Sequence, residues 1–383
     1  MANYFIFPEK DTTLYSHPDR KGLNAGRDEI LELVKEKGSS DPYHYPSRII
    51  IKFNNVDIKT AIEKIGSSTF NNGTTKVFLQ LTAMEAKNLV TSFNIESFPI
   101  SQSWNEGTGK YLNIPTGSNG SSWLFRDNSN DQSYWATGSF SDGTTGSISS
   151  SLLTEGGGTF YTGSGFEASQ QFLIGDDLNT NLDVTSIIQK FSASIYAGQT
   201  YPDGIENQGF ILKEPKSVET NVSGSSGELQ YFSVDTHTIY PPKLCFKWDD
   251  SSHPNHTLGK TSGECNVYLY NLKKEYNQNE EATLRIHIRD KYPTRTFVTS
   301  SNFLNIGYFK RESSYSIRDG HTEEEIIPFD DTFTRLSSDD DGMFFKLDMK
   351  GLQPERYYRI LLKHENNDGT TIYDDKYIFK VIR

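Results

Sequence analysis

FPISQSWNEGTGKYLNIP, residues 98–115, joins an alternating apolar pattern to a glycine-rich loop through a single tryptophan. Just upstream, Phe93 and Ile95 alternate with polar residues and lead into Phe98 and Ile100, the period of a half-buried strand. The pattern then meets Trp104 and the run Asn105-Glu106-Gly107-Thr108-Gly109, which only a loop tolerates. A tryptophan beside two glycines predicts a ring that closes the open end of a β-sandwich core while Gly107 and Gly109 let the backbone turn tightly. The device is architectural, and the stretch holds no nucleophile, metal-ligand cluster or phosphate loop.

The composition agrees with that reading. A chain of 383 residues is long enough for two or three domains, each with its own core. Hydrophobic residues make up only 34%, but aromatics reach 13%, mainly 24 Phe and 21 Tyr, as suits thin sandwiches whose layers are filled by a few large rings. The net charge of −12 and the lack of a Lys/Arg cluster argue against nucleic acid as a partner. MANYFIFPEKD at the start has no basic n-region and reads as a first strand, so the expectation is a chain that starts near Met1 and is made in a cytoplasm. No apolar run is long enough to span a membrane. The two cysteines, Cys245 and Cys265, bracket a polar segment; a bridge across it is conceivable, but two reduced thiols fit a reducing compartment better.

Along the chain, residues 4–15 predict an edge strand interrupted by Pro8, and Ser47–Phe53 (SRIIIKF) a buried one with Arg48 at its mouth. Asp28–Lys37 is compatible with a short helix but reads as strand in this architecture. Asp57–Ile65 predicts a helix, with Ile58, Ala61, Ile62 and Ile65 at helical spacing. A second short helix follows Asp183, and Pro241-Pro242 splits the stretch 229–248 into two strands. Between Ala136 and Gln170, 22 of 35 residues are Ser, Thr or Gly, predicting a solvated excursion whose rings (Phe160, Tyr161, Phe166) call for a neighbouring subunit to cover them. The polar segment 249–263 reads as a linker. Beyond it, evenly spaced strand signals from Asn266 to Ile382, with a turn at Asn367-Asp368-Gly369, predict an immunoglobulin-like sandwich. The fold class is therefore all-β: a jelly-roll-like sandwich with short helices over 1–248 and an Ig-like one over 264–383.

Three resemblances follow from these residues. Asp11, Thr12, Asn24, Gly26, Arg48 to Phe53, Ser103 to Thr108 and Asp183 to Ile188 resemble the DNRLRE-type β-sandwich of carbohydrate-binding modules and adhesive surface proteins, over residues 4–215. Gly351-Leu352-Gln353-Pro354-Glu355-Arg356-Tyr357-Tyr358 resembles the fibronectin type III tyrosine corner, with Leu352, Pro354 and Tyr358 in that motif's positions. Across its full length, through NYFIFPEKD, YFSVDTHTIYPPKLCFKWDD (231–250) and MKGLQPERYYRILLK (349–363), the chain resembles virion structural proteins of contractile-tailed marine bacteriophages of the cyanophage type. That resemblance implies a non-enzymatic component of the tail, neck or baseplate. It would be assembled in the host cytoplasm, would contact other virion proteins or further copies of itself, and would need no cofactor.

The candidate sites are sparse. Trp123, Tyr134 and Trp135, with Asn128, Asn130, Asp131 and Gln132 close by, could form a platform on which sugar rings stack; the competing reading is that the tryptophans are core or subunit-interface residues. Phe160 and Tyr161 join them as a candidate glycan or subunit-contact surface. A linker metal site from His253, His256, Asp249 and Asp250 lacks a rigid frame, and Asp127 to Asp131 echoes only half a calcium loop, so no metal is expected. No catalytic carboxylate pair is evident: Glu106, Asp142 and Glu155 all lie in loops.

Overall fold

Ile49, Ile50 and Ile51 sit in the strand His44–Phe53, and all three side chains are fully buried. In the computed structural model, which describes residues 3–111, 119–129, 132–136, 144–145, 156–195, 204–221, 223–224, 227–254, 258–261, 264–292, 306–309, 312–366 and 369–383, this strand is flanked on both edges. Phe210–Lys213 pairs with it in a register that sets Phe210 opposite Ile51 and Ile211 opposite Ile50, and Pro8–Tyr15 pairs along the other edge. Phe210–Lys213 in turn pairs with Ser92–Pro99, which pairs with Ala168–Leu173. At its other end the central strand passes residues 44–46 to the strand Ile30–Lys37, which continues to Glu228–Phe232 and Ala83–Lys87. The ambiguous segment is thus strand: tertiary pairing decides what its short helical spacing could not.

Side chains alternate across a strand, so Ile49, Ile51, Phe210 and Leu212 share one face of this sheet while Arg48, Ile50, Ile211 and Lys213 share the other. On the first face Phe210 packs edge-on to Phe53 and to Phe191 of the helix Thr185–Ile195. Asp183 starts that helix by accepting the Thr185 N–H at 3.1 Å. The helix Asn55–Ile65 is as its spacing predicts, with Ile58, Ala61, Ile62 and Ile65 buried and Asn54 accepting the Val56 N–H at 2.8 Å.

Towards the C-terminus a pair of sheets face each other. One orders Cys265–Leu269, Glu281–Asp290, Gly342–Asp348 and Ser337–Asp339; the other orders Glu275–Asn277, Gly369–Ile382, Arg356–Asn366, Ser313–Asp319 and Glu325–Ile327. Tyr315 stacks on Phe345 across them, ring centroids 4.2 Å apart, and Tyr358 is buried with its hydroxyl donating to the Gln353 carbonyl at 2.9 Å, the hydrogen bond of a tyrosine corner. The fold is all-β and sandwich-type, with few helices. Ser313–Asp319 is a strand without a strand signal in its sequence.

The chain divides into two compact units: Ile6–Ser67 with Lys76–Cys245, and Met1–Phe5 and Ser68–Thr75 with Phe246–Arg383. Some of the expected linker is bound within the second unit, since Ser252 exchanges hydrogen bonds with Ser337 and Ser338. The expected single strand over 4–15 is two, Asn3–Ile6 and Pro8–Tyr15, broken at the proline-led junction. Pro241-Pro242 separates Glu228–Phe232 from Lys243–Lys247 as expected. Residues 367–368 of the expected hairpin turn lie outside the described residues. No helix among the described residues is long and apolar enough to cross a membrane.

Candidate functional site

The second face of the central sheet is where the sequence-predicted residues converge. Leu14, Ile50, Phe98, Ile100 and Ile211 are covered there by Trp104, Trp123, Trp135 and Phe160 in one buried cluster. Trp104 closes the core, and its indole N–H donates to the Gln208 carbonyl at 2.9 Å. Trp123 is 0% exposed and Trp135 2%, the latter donating its indole N–H to the Ser122 carbonyl at 2.9 Å. This corrects the reading of Trp123 and Trp135 as a sugar platform: both rings are buried in the cluster over the second face, where Leu14, Ile50, Phe98, Ile100 and Ile211 need a covering layer and the loops supply it. Tyr134 alone of that group faces solvent, 58% exposed, while Tyr161 is half-buried against Phe166.

Of the Gly/Ser/Thr-rich excursion, residues 156–160 are buried and structural, while Gly163, Ser164, Glu167 and Ser169 face solvent as expected. Gly157 has φ +79° and a Cβ there would stand 2.7 Å from the Trp123 ring, so glycine is required for the backbone to reach the indole. Phe160 is covered by its own chain, and Lys190 lies 4.1 Å over the Phe166 ring. Residues 137–143 and 146–155, with Asp142 and Glu155, lie outside the described residues.

Beneath Trp123 lies a charged group that no local pattern announces. Arg48, expected at a strand mouth, is fully buried and forms a bidentate pair with the equally buried Glu219, Nε to Oε1 at 2.9 Å and Nη2 to Oε2 at 3.0 Å. Its Nη1 donates to the Gly157 carbonyl at 2.5 Å, and its guanidinium is 5.0 Å from the Trp123 ring centre. Lys213 adds a second cation, 3.4 Å from Glu219 and 3.3 Å from Glu96.

A third cluster joins two short motifs far apart in sequence. The Asn24 amide donates to the carbonyls of Glu106 (2.6 Å) and Ser121 (2.8 Å), and its oxygen accepts the Gly109 N–H at 2.8 Å. Gly26 is pressed so closely on this clasp that a Cβ would lie 2.1 Å from the Glu106 carbonyl oxygen. Next to it Asp11 is buried, accepting the Ser233 hydroxyl at 2.9 Å and the Val234 N–H at 2.7 Å, while its own N–H donates to the Glu106 carboxylate at 3.2 Å. Burial pushes the Asp11 carboxyl up to about 7 against those hydrogen bonds; burial also raises Asp28 to about 6 and lifts Glu106. A carboxyl raised above its unfolded value holds its proton in the folded state where the unfolded chain has lost it, so this stabilisation is complete below about pH 4 and is lost as pH rises toward 7. Between pH 5 and pH 8 the unfolding temperature should therefore fall. Asp11→Asn, whose amide oxygen can still accept from Val234 and whose NH2 can donate to Ser233, should remove most of that fall; an unchanged slope in thermal unfolding would contradict the assignment.

Exposed aromatic surface lies elsewhere, in the C-terminal unit. In the strand Cys265–Leu269 and its continuation, Val267 and Leu269 point inward while Tyr268 (59% exposed) and Tyr270 (43%) face solvent. His287 stands opposite Tyr268 in register and its ring lies 4.1 Å from Tyr270. On the same strand as His287, Arg285 lies 4.9 Å over Phe344, which stands directly opposite it on the next strand. Tyr, His, Arg and Phe thus make a continuous stripe across three strands. The alternation in VYLY (267–270) was the signal available for it.

The remaining sequence candidates resolve simply. Asp127 accepts the Ser129 N–H in an ordinary turn, with Asn130 and Asp131 outside the described residues. His253 bonds Ser338, and His256 is outside the described residues; no group of metal-ligating residues occurs among those described. Cys245 and Cys265 are both buried and form no disulfide.

No family model matches the chain. No curated protein matches it. Among solved structures it is similar to the β-glucuronidase of Parabacteroides merdae at 9% identity with a TM-score of 0.18, over 96% of this chain and 36% of that enzyme. The chain thus spans about a third of the enzyme's length, and a likeness of this degree carries no argument about activity.

Proposed function

We propose that the chain is a non-enzymatic structural component of a tailed phage virion, associated with the tail, neck or baseplate and acting through protein–protein contacts. The observation that supports this reading is the Tyr268–Tyr270–His287–Arg285–Phe344 stripe on a rigid sheet. Tyrosine and arginine are the side chains that concentrate binding energy at protein interfaces, and such a stripe is left in water at a cost unless a partner covers it. The resemblances in sequence supply the particle. The test is incorporation: the chain should co-purify with virions at a fixed copy number through a density gradient, and Tyr268→Ala/Tyr270→Ala should lower incorporation by about tenfold or more, as loss of an interface anchor does, with unfolding unchanged. Particles complete without the chain, or a purified chain that instead binds host saccharides through the same tyrosines, would overturn it in favour of a glycan-binding adhesin.

A further inference from the structure

A cavity of about 250 Å³ opens in the C-terminal unit, lined by Glu312, Ser313, Ser314, Asp331, Arg335 and Glu365. Ser314 stands opposite Lys363 in register, so Glu312, Ser314, Lys363 and Glu365 share one face of the paired strands Ser313–Asp319 and Arg356–Asn366. The segment from Asp330 to Leu336 runs along the start of Ser313–Asp319, on the edge that Glu325–Ile327 takes up further along, tied by Tyr315 N–H to the Thr334 carbonyl and Leu336 N–H to the Ser313 carbonyl, both at 3.0 Å. From it Asp331 reaches Lys363 at 3.1 Å, and Lys363 also holds Glu365 at 2.8 Å. Arg335 donates to the Asp331 carbonyl and lies 3.8 Å from Asp249.

Two features of this arrangement are unsatisfied. Among the described residues four carboxylates, Glu312, Asp331, Glu365 and, beyond Arg335, Asp249, meet two cations, Arg335 and Lys363, so negative charge is in excess, and Glu312 has no ion-pair partner. The Ser314 hydroxyl is buried without a hydrogen-bond partner, in a residue only 2% exposed that lines the cavity. A buried hydroxyl left unpaired is costly, and native structures rarely keep one unless something binds it. A neutral polyol would satisfy Ser314 and leave the charge. A metal ion would have to displace Lys363 from its two carboxylates. An ammonium or guanidinium group satisfies both at once: it brings the missing positive charge to Glu312 and an N–H donor to Ser314.

We infer that this cavity binds an organic cation, the ammonium or guanidinium head either of a lysine or arginine side chain on a neighbouring protein or of a free amine. The inference is independent of the particle to which the chain belongs. Calorimetric titration of the full chain at low salt with cadaverine, agmatine and Nα-acetyl-lysine amide, with glucose as the neutral control, tests it. The cations should bind and glucose should not. Glu312→Gln, at an exposed position, should weaken cation binding by about tenfold without moving the unfolding temperature, the loss expected of one charge-assisted contact. Ser314→Ala should weaken it by several-fold. Acetyl-lysine amide binding as well as cadaverine would assign the site to a neighbour's side chain, and binding of cadaverine or agmatine alone to a free amine. No cation binding, equal binding of glucose, or unchanged affinity in Glu312→Gln would overturn the inference.

Discussion

Glu219→Ala should destabilise the larger unit by about 3–5 kcal/mol, the usual cost of removing one partner of a buried ion pair. The carboxylate is the bidentate partner of Arg48 and a contact of Lys213, and all three groups are withdrawn from water. Without it two cations remain, one of them sharing Glu96 and the other left with a carbonyl and an aromatic face. The loss belongs to the stranded charge and not to the pair's net worth, because bringing both ions out of water nearly cancels their attraction. Arg48→Met/Glu219→Leu should therefore recover more than half of the stability that Glu219→Ala loses. Denaturant unfolding of the three proteins decides this. A single-mutant loss under about 1 kcal/mol, the range of an exposed pair, would show that water reaches Arg48.

Trp135→Ala should cost about 3–5 kcal/mol, the range for deleting a large buried aromatic, while Tyr134→Ala, one residue away, should cost under about 1. The contrast follows from placement. Trp135 packs with Trp104, Trp123 and Phe160 over Ile50 and Ile211 and donates a buried hydrogen bond, whereas Tyr134 rests on the outer side of Phe125 at 4.6 Å between centroids. Under the proposed virion role, a loss of host adsorption on Trp135→Ala would then follow from an unstable fold. Equal, small losses in the two variants would mean that the tryptophan layer is not part of the core.

Much of the architecture is legible in the sequence because it is carried by local period. The Ile49–Ile51 run, the helical spacing from Ile58 to Ile65, the paired prolines and the Leu352-x-Pro354-x-x-x-Tyr358 pattern each act over a few residues, and each appears in the structure as expected. Local pattern fails where the partner is distant. Arg48 and Glu219 lie 171 residues apart, so nothing near either one indicates a buried pair. Trp123 and Trp135 flank the polar run Arg126–Ser133 and lie in no periodic pattern, so sequence alone leaves their burial open; whether a loop tryptophan covers a sheet depends on which sheet face still lacks a layer. Ser313–Asp319 escapes for a related reason. Its sequence SSYSIRD sets Ser314, Ser316 and Arg318 on one face, and it is held as a strand by pairing on both edges, with Arg356–Asn366 on one side and with Thr334, Leu336 and Glu325–Ile327 on the other, the Ser316 hydroxyl also donating to the Ile327 carbonyl. Asn24 and Glu106 stand out as members of separate short motifs, and only the structure places them in one clasp.

The measurement that tests the proposed role most directly is gold labelling of purified virions with an antibody raised against residues 264–383, read by electron microscopy. Label as a ring at the neck, along the tail or on the baseplate body is the expected result. Label confined to fibre tips, or no label on intact particles in which the epitope is shown to be accessible, would contradict it.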